Sequence, residues 1–593
     1  MSAIHQLLTD HIDVWTGADT EKKSGRGRAS GNAASVYGIK KLRELILELA
    51  VRGKLVPQDF ETNANDEFQV LNEQKTLLQE TEKFKPLDQS NLPIPKLDLS
   101  IPTNWKVCRL DDIAAIARGG SPRPIKSFIT DNNDNSGFNW IKIGDSERGS
   151  IYINSTEEKI KKSGVSSSRI VYPDDLILSN SMSFGYPYIL NITGCIHDGW
   201  LVIRTPKSLI SKLFLYYLFR STYVFESFKR LAAGAVVQNL NADKVKELII
   251  GLPPLAEQHR IVAKVDELMA LCDQLETQHS NAAIAHEHLV SHLLGTLTQS
   301  QSADDFQVSW QRIAAHFDTL FTTEASIDAL KQTLLQLAVM GKLVPQDASD
   351  EPASELLKRI QAEKAKLVAE GKIKKDKPLA VIGVDEKPFE LPESWEWVRF
   401  GSVIENSGAG WSPSCEGHPR IENEWGVLKV SAVSWGQFQP NENKALPLAL
   451  EPRMECVVES GDFLVSRANT AELVARSVVV ENCPPNLMMS DKIVRLRLSK
   501  FCNSHFMNLA NLSQFARNYY SRVAGGTSSS MKNVSREQIL NLLIPQPPLA
   551  EQHRIVAKVD ELMALCDQLK SRLTAVNQLK QKIADVLVEQ AVA

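Results

Sequence analysis

Several loops in this chain gather side chains that can form paired hydrogen bonds. ARGGSPRPIK (Ala117 to Lys126) is Gly-rich, basic and loop-like, and offers Arg118, Ser121, Arg123 and Lys126. SNSMSFGYPY (Ser179 to Tyr188) follows an apolar run and offers Asn180, Ser183 and Tyr186; Gln238 and Asn239 stand before the last apolar segment of the same region. By position, the second half of the chain offers Trp411 and Ser412, then Arg467 and Asn469, then Thr527, Ser528 and Lys532. Guanidinium, ammonium, amide and hydroxyl groups on loops are suited to hold planar polar edges and anions. Each position also has a plain structural use, since Gly-Ser-Pro is a common turn and a strand-end Ser or Asn often satisfies backbone. Trp105, Trp140 and Trp395 read as core, and Gly234 and Gly525 as turn residues.

Residues for bond-making chemistry are not evident. A base-modifying methyltransferase needs a [DNS]-P-P-[YFW] loop to hold a flipped base, yet the Pro-Pro pairs here sit in LPPL, CPPN and QPPL. GKLVPQD lacks the Ser or Thr that follows the lysine of a phosphate loop. Carboxylate pairs such as Asp174-Asp175, or Asp385-Glu386 beside Lys387, occur in one half only or in a linker and read as surface charge. Eight cysteines without a C-x-x-C pair argue against a zinc ribbon and a disulfide framework. His279, His286, His288 and His292 are matched in the second half by Leu573, Lys580, Lys582 and Val586, so they read as helix surface and seam, with no metal expected.

The elements that must carry these loops are repeated. PPLAEQHRIVAKVDELMALCDQL occurs at Pro253 to Leu275 and again, letter for letter, at Pro547 to Leu569. ILELAVRGKLVPQD (Ile46 to Asp59) returns as LLQLAVMGKLVPQD (Leu334 to Asp347). The offsets are 288 (334 minus 46) and 294 (547 minus 253), so the two modules differ by six residues between their boxes. Between the boxes only landmarks persist: IPTNWKVCRL answers LPESWEWVRF, and DDLILSNS answers GDFLVSRA. One frame is used twice with different surfaces.

After the Pro-Pro pair the long repeat takes heptad spacing. Its seam is Ile261, Val265, Leu268, Cys272 and Leu275 in the first copy, continuing through His279, Ala282, His286, Leu289 and Leu293. The second copy reads Ile555, Val559, Leu562, Cys566 and Leu569, then Leu573, Val576, Lys580, Ile583 and Leu587. Each predicts a helix of roughly 40 residues, about 60 Å long. Two helices with one seam are expected to pair antiparallel about a pseudo-two-fold axis.

The net charge is −4. Lys106 to Leu252 nevertheless holds 19 Lys and Arg against 14 Asp and Glu, and Trp397 to Gln546 holds 15 against 13. The variable regions are mildly basic and the frame acidic, as expected if the former meet phosphate and the latter meets protein. Apolar runs fall short of the ~18 residues of a membrane span, and MSAIHQLLTDHID has no signal-peptide pattern, so a cytoplasmic location is expected.

Two variable regions, each followed by a P-P-L-x-E-Q helix and framed by direct repeats, resemble the DNA-specificity subunit of a type I restriction-modification enzyme. The LAVRGKLVPQD and LAVMGKLVPQD boxes are most similar to the subclass called type IB, and the resemblance runs from about Tyr37 to the C-terminus. It implies a non-catalytic subunit of mixed α/β (α+β) fold, with two target-recognition domains joined by two long antiparallel coiled-coil helices. Each domain would read one half of a split double-stranded DNA target. The helices would set the gap and dock two copies of a methylation subunit, with restriction subunits joining the assembly. S-adenosylmethionine, ATP and Mg would belong to those partners, and none would be bound by this chain. The loop residues named above would then face base edges and phosphates.

The expected organisation is a flexible N-terminal segment at 1–36 containing the basic KKSGRGRASGN, followed by a helical repeat region at 37–99. A recognition domain at 100–252 precedes a spacer helix at 253–303. Central helices and a linker occupy 304–387, with ELLKRIQAEKAKLVAEGKIKKDK (Glu355 to Lys377) read as a solvated spacer. The second recognition domain spans 388–546 and the second spacer helix 547–593. Two other readings are a coiled-coil scaffold whose variable domains bind protein, and an enzyme with an unrecognised motif. Divergent domains on an identical frame favour DNA reading over both.

Overall fold

The computed structural model describes the chain apart from residues 1–2, 19–35, 88–95, 131–135, 148, 181–184, 207–208, 233–239, 302, 376–377, 435 and 529–530, and the side chains of 3–5, 232, 303 and 527–528. It divides into two compact units, one of residues 1–282 with 575–593 and the other of residues 283–574. The spacer helices, Leu255–Gln299 of 45 residues and Leu549–Val592 of 44, both cross that division. Each unit therefore holds the start of one spacer helix and the end of the other, the pairing of opposite ends that antiparallel helices require. Among the described residues no helix is long and apolar enough to cross a membrane, and no group of three His, Cys, Asp or Glu is placed to hold a metal.

Each recognition domain is a mixed α/β body entered and left through one antiparallel ribbon. Lys106–Arg109 pairs with Ile249–Leu252, with Lys106 opposite Leu252; Glu396–Arg399 pairs with Leu543–Gln546, with Glu396 opposite Gln546. Beyond the ribbon, the first domain orders a sheet as Ala115–Arg118, Trp200–Arg204, Leu176–Ser179, Pro187–Leu190 and Tyr152–Ile153. The second repeats the order as Ile404–Ala409, Ile493–Leu498, Phe463–Ser466 and Ser477–Val479. A second sheet in each contains a parallel pair, Phe138–Ile141 with Gly194–Ile196 and Gly426–Leu428 with Leu487–Met488. The central strands read as continuous apolar runs, LILS, WLVIR and FLVS, because both faces are covered.

A buried polar knot joins domain to helix in both units. Trp105 Nε1 donates to Glu257 Oε1 at 3.1 Å and Gln58 Nε2 donates to the same oxygen at 2.8 Å. In the other unit Trp395 Nε1 donates to Glu551 Oε2 at 2.9 Å, and Gln346 Nε2 donates to Glu551 Oε1 at 2.6 Å. The neighbouring Gln258 donates to Pro253 O and accepts from the Ser211 backbone N–H, as Gln552 does with Pro547 O and Asn503. Three distant repeats, GKLVPQD, the Trp landmark and PPLAEQ, are thus one structure. Gly53 and Gly341 stand at φ +67° and +71° against Pro102 and Pro392, where a Cβ would come within 2.4 and 2.6 Å of the ring; no other residue fits that turn.

The box lysines reach the end of the opposite spacer helix. Lys54 Nζ donates to Val592 O at 3.1 Å, and Lys342 Nζ donates to Ser300 O at 2.8 Å and to Thr298 O at 3.3 Å. A cation at orphan carbonyls complements the negative helix terminus. The box helices, Tyr37–Val51 and Glu324–Val339, also pair with the spacer helix of their own module, Arg43 with Asp273 and Glu276, and Lys331 with Asp567.

The seam needs correction in its length, and it has partners beyond the other spacer helix. Ile261, Val265, Leu268 and Cys272 are buried, with Leu275 half-buried, in a cluster with Leu42, Leu45 and Leu49 of the box helix and with Phe214 and Tyr217 of the domain. In the other unit Ile555 and Val559 are buried with Phe506 and Ile544, while Cys566, Leu562 and Leu569 pack on Leu330, Leu334 and Leu337. The start of each seam therefore meets its own box helix and domain, and the far part of the other seam joins the same cluster, Leu587 with Ile261 and Val265, and Leu293 with Leu562, Cys566 and Leu569. Farther along, Leu289, Val576 and Ile583 are exposed, and the buried positions are Val290, Leu294 and Leu297 and then Ala584, with Leu587 and Val588 packed beside it. A straight helix drifts ~20° per heptad against a 3.5-residue repeat, so the inward face passes to the next residue.

The N-terminal segment is corrected over its first half. Ala3–Asp10 and Ile12–Gly17 are helices, and Val14 and Trp15 are buried in the cluster that holds the box helix. HIDVW (His11 to Trp15) has an unrecognised counterpart in HFDTL (His316 to Leu320): both histidines turn the chain between two helices, at φ −126°, ψ 28° and φ −119°, ψ 21°. The first module carries 17 more residues before its box, since the histidines are offset by 305 and the boxes by 288. KKSGRGRASGN lies outside the described residues.

Burial raises the carboxyls of Glu257 and Glu551 above their ordinary value, against the lowering effect of their Trp and Gln donors. A carboxyl raised in the folded state binds protons more tightly there than in the unfolded chain, whose value is about 4.3. Its contribution is present at low pH and is lost as pH rises through the folded value. Glu257→Gln with Glu551→Gln should flatten the fall in stability as pH rises above about 4.3. Denaturant unfolding at constant ionic strength checks this, and equal pH slopes for both proteins would contradict it.

Candidate nucleic-acid interface

The nominated loops converge in both domains on an aspartate that follows the parallel strand of the second sheet. In the first domain Ser121 Oγ donates to Asp198 Oδ1 at 2.9 Å, and the Asp198 backbone N–H returns to Ser121 Oγ at 3.4 Å. Arg118 Nε donates to Asp198 O at 2.8 Å, and the guanidinium groups of Arg118 and Arg123 lie 3.9 and 4.0 Å from Asp198 Oδ2. Partial burial alone would raise the Asp198 carboxyl; the Ser121 hydroxyl, its own backbone N–H, His197 and Arg118 outweigh it and hold it below the ordinary value. In the second domain Ser412 Oγ donates to Asp491 Oδ1 and accepts from the Asp491 N–H at 3.1 Å.

The loop after the central strand joins the same point. Asn180 N donates to Gly199 O at 3.0 Å, and its carbonyl accepts from Leu240 N at 3.2 Å. Arg467 N donates to Lys492 O at 2.8 Å, and its carbonyl accepts from Val534 N at 2.9 Å. The backbone pattern is one and the side chains differ: Gly120, Asn180 and Gly199 stand where the second domain has Trp411, Arg467 and Lys492. A small sheet then brings Asn469 opposite Lys532 and continues to Gly525–Ser528. Among the described residues no carboxylate lies within ion-pair distance of Arg467 or Lys492.

Individual positions sort by exposure. The Arg123 side chain is 86% exposed and that of Arg118 51%, so both are open to a ligand. Lys126 and Ser412 are exposed. Asn180 is buried, and its Nδ2 donates to Asp198 O at 2.9 Å, which makes it a support of the hub and corrects its reading as a direct contact. Tyr186 is half-buried against Tyr188 with Arg220 stacked on it, a core-facing position. Trp411 packs beside Val427 and Met488, with the Arg453 guanidinium 4.4 Å from its ring centre, and Asn469 Nδ2 donates to Ser434 Oγ. Ser183, Gln238 and Asn239, and the side chains of Thr527 and Ser528, lie outside the described residues. Trp105, Trp140 and Trp395 are buried. Sequence reasoning passed over Asp198, Asp491 and Lys492; the alignment of HDGW (His197 to Trp200) with SDKI (Ser490 to Ile493) was the signal available.

A family model described as "Type I restriction modification DNA specificity domain" matches residues 102–286 and 392–579, one match on each recognition domain with the start of its spacer helix. The chain belongs to this family of type I DNA specificity subunits. Within the family it is similar to the EcoEI specificity subunit of Escherichia coli, at 39% identity over 99% of this chain and all of that one. It is 34% identical to the EcoAI specificity subunit of the same species, with both chains fully covered. The EcoKI specificity subunit of strain K12 is 23% identical over 72% of this chain and 76% of its own length. The HsdS subunit from Thermoanaerobacter tengcongensis, of known crystal structure, covers 84% of this chain and 98% of its own at 17% identity, with a TM-score of 0.40. As a specificity subunit the chain is the non-catalytic component of a type I restriction-modification system.

Gly119 and Gly410 open the Gly-x-Ser-Pro loops where a Cβ would lie 2.2 Å from His197 O and 2.3 Å from Met489 O. Both neighbours are backbone and cannot turn aside. Gly119→Ala and Gly410→Ala should each cost about 1–3 kcal/mol, measured by denaturant unfolding of the full chain; wild-type stability would show that the loop does not approach the strand end this closely.

Proposed function

We propose that each recognition domain reads one half of a bipartite, asymmetric DNA target through the loops gathered at Asp198 and Asp491. The observation that carries this is the shared hub with unlike side chains. An identical backbone frame presents Arg118 and Arg123 on one domain and Trp411, Arg467, Lys492 and Lys532 on the other, so two different half-sites can be met by one construction. Phosphate contacts come from the unpaired cations, and base selection from the side chains that differ.

The spacer helices set the gap and dock two copies of a methylation subunit, through which restriction subunits join. Burial explains why Ile261 or Val265 is kept in both copies of the long repeat. It does not explain identity at the exposed Glu267, Ala270 and Gln274 and their counterparts Glu561, Ala564 and Gln568; two identical partners would. S-adenosylmethionine, ATP and Mg belong to those partner subunits, the location is the cytoplasm, and the subclass is type IB, a reading that the likeness of the two box sequences to that subclass supports.

Replacing Lys106 to Leu252 by the corresponding domain of a related subunit cuts at the ribbon, where the two ends stand opposite each other. Methylation mapped genome-wide should change in one half of the motif and keep the other half; a change in both halves would overturn modular reading. Glu267→Lys with Ala270→Arg should leave the melting temperature within about 2 °C, as for exposed positions, and reduce the bound methylation subunits from two to one by native mass measurement. Retention of both would remove this docking face.

A further inference from the structure

We propose that Asp198 and Asp491 are positioning residues for half-site reading: each latches its Gly-x-Ser-Pro loop through a serine hydroxyl, and Asp198 also holds Arg118 and Arg123 back from indiscriminate phosphate binding. The inference rests on the loop reading above and goes beyond it by naming what fixes the loops. Between the two domains most surface side chains differ, yet Ser121 with Asp198 and Ser412 with Asp491 form the same reciprocal pair. The hydroxyl donates to the carboxylate and accepts the aspartate's own N–H, a double role that Ser or Thr fills and no apolar side chain does. The loop is then held at two points, by this pair and by backbone: Gly120 N donates to Ile196 O at 3.2 Å, and Trp411 N to Met489 O at 2.9 Å.

Readout depends on such fixation, because a base edge is distinguished by paired donors held in a definite plane. A loop free to swing would still attract phosphate but would lose discrimination. In the first domain the carboxylate has a second consequence. The two exposed guanidinium groups share Asp198 Oδ2 at the outer limit of an ion pair, so a phosphate competes with a weak, exposed partner. Engagement is favoured where base contacts add to the phosphate contact and disfavoured where they do not. The second domain has no guanidinium within ion-pair distance of Asp491 among the described residues, so its latch acts on the loop alone.

Removing the hydroxyl and removing the charge separate these roles. Ser121→Thr and Ser121→Val have nearly the same size and differ in the hydroxyl, while Asp198→Asn keeps an oxygen for Ser121 and loses the charge. The complex of the full chain with its methylation subunit is titrated against duplexes carrying its mapped methylation motif, the motif altered in one half or the other, and random sequence. Ser121→Val should lower discrimination at the first half about tenfold, the cost of roughly one lost base contact, with the second half unchanged and Ser121→Thr close to wild type. Ser412→Val and Ser412→Thr should mirror this at the second half. Asp198→Asn should tighten binding to random duplex about two- to fivefold, whereas Asp491→Asn should not. Equal behaviour of the Thr and Val variants, or wild-type discrimination in both Val variants, overturns the latch while leaving loop reading intact. A wild-type complex that ignores alterations in both halves overturns the reading and the latch together.

Discussion

A carboxylate buried between a tryptophan and a glutamine holds this molecule to its plan. Glu257 and Glu551 lie out of solvent at the first turn of each spacer helix, and each collects an indole N–H from the domain and an amide N–H from the box. An acid buried this way is costly to leave unpaired, so the two donors together hold it in place. The arrangement ties three stretches that are far apart in sequence to one place in each unit. It accounts for their joint recurrence while everything between them has diverged.

From that knot the rest follows outward. The spacer helix leaves the knot with its first turns packed on its own box helix and domain. Its far end enters the other unit, where the box lysine of that unit meets its terminal carbonyls. Each recognition domain hangs on a four-residue ribbon beside the knot, so its interior can vary without disturbing the frame. At the hub that gathers the loops the requirement reverses: backbone geometry is retained and the side chains change.

The repeats made most of this legible in the chain itself. Identity over Pro253 to Leu275 and Pro547 to Leu569 announced the two modules, and the landmark tryptophans marked the domain entries. The loops chosen for their donors do meet, because strand ends such as LILSN and FLVSR deliver them to one place. What was hidden has physical causes. Heptad counting carries the seam past the point where a 3.6-residue helix turns away from it, so its positions Leu289 and Ile583 are exposed. The heptad alone does not reveal that the box helix shares the stripe with the other spacer helix. The helical pair at the N-terminus escaped notice because an insertion separates it from its box. Asp198 and Asp491 were missed because an acid is not sought at an anionic ligand, although its task is to fix the loop.

The central proposal is that one duplicated frame carries two unlike readers of a split target. Genome-wide mapping of methylated adenine in cells carrying this chain and its methylation subunit tests it most directly. The account predicts a motif of two dissimilar halves separated by a constant number of unspecified bases. A continuous motif, a symmetric one, or a gap of variable length would contradict it.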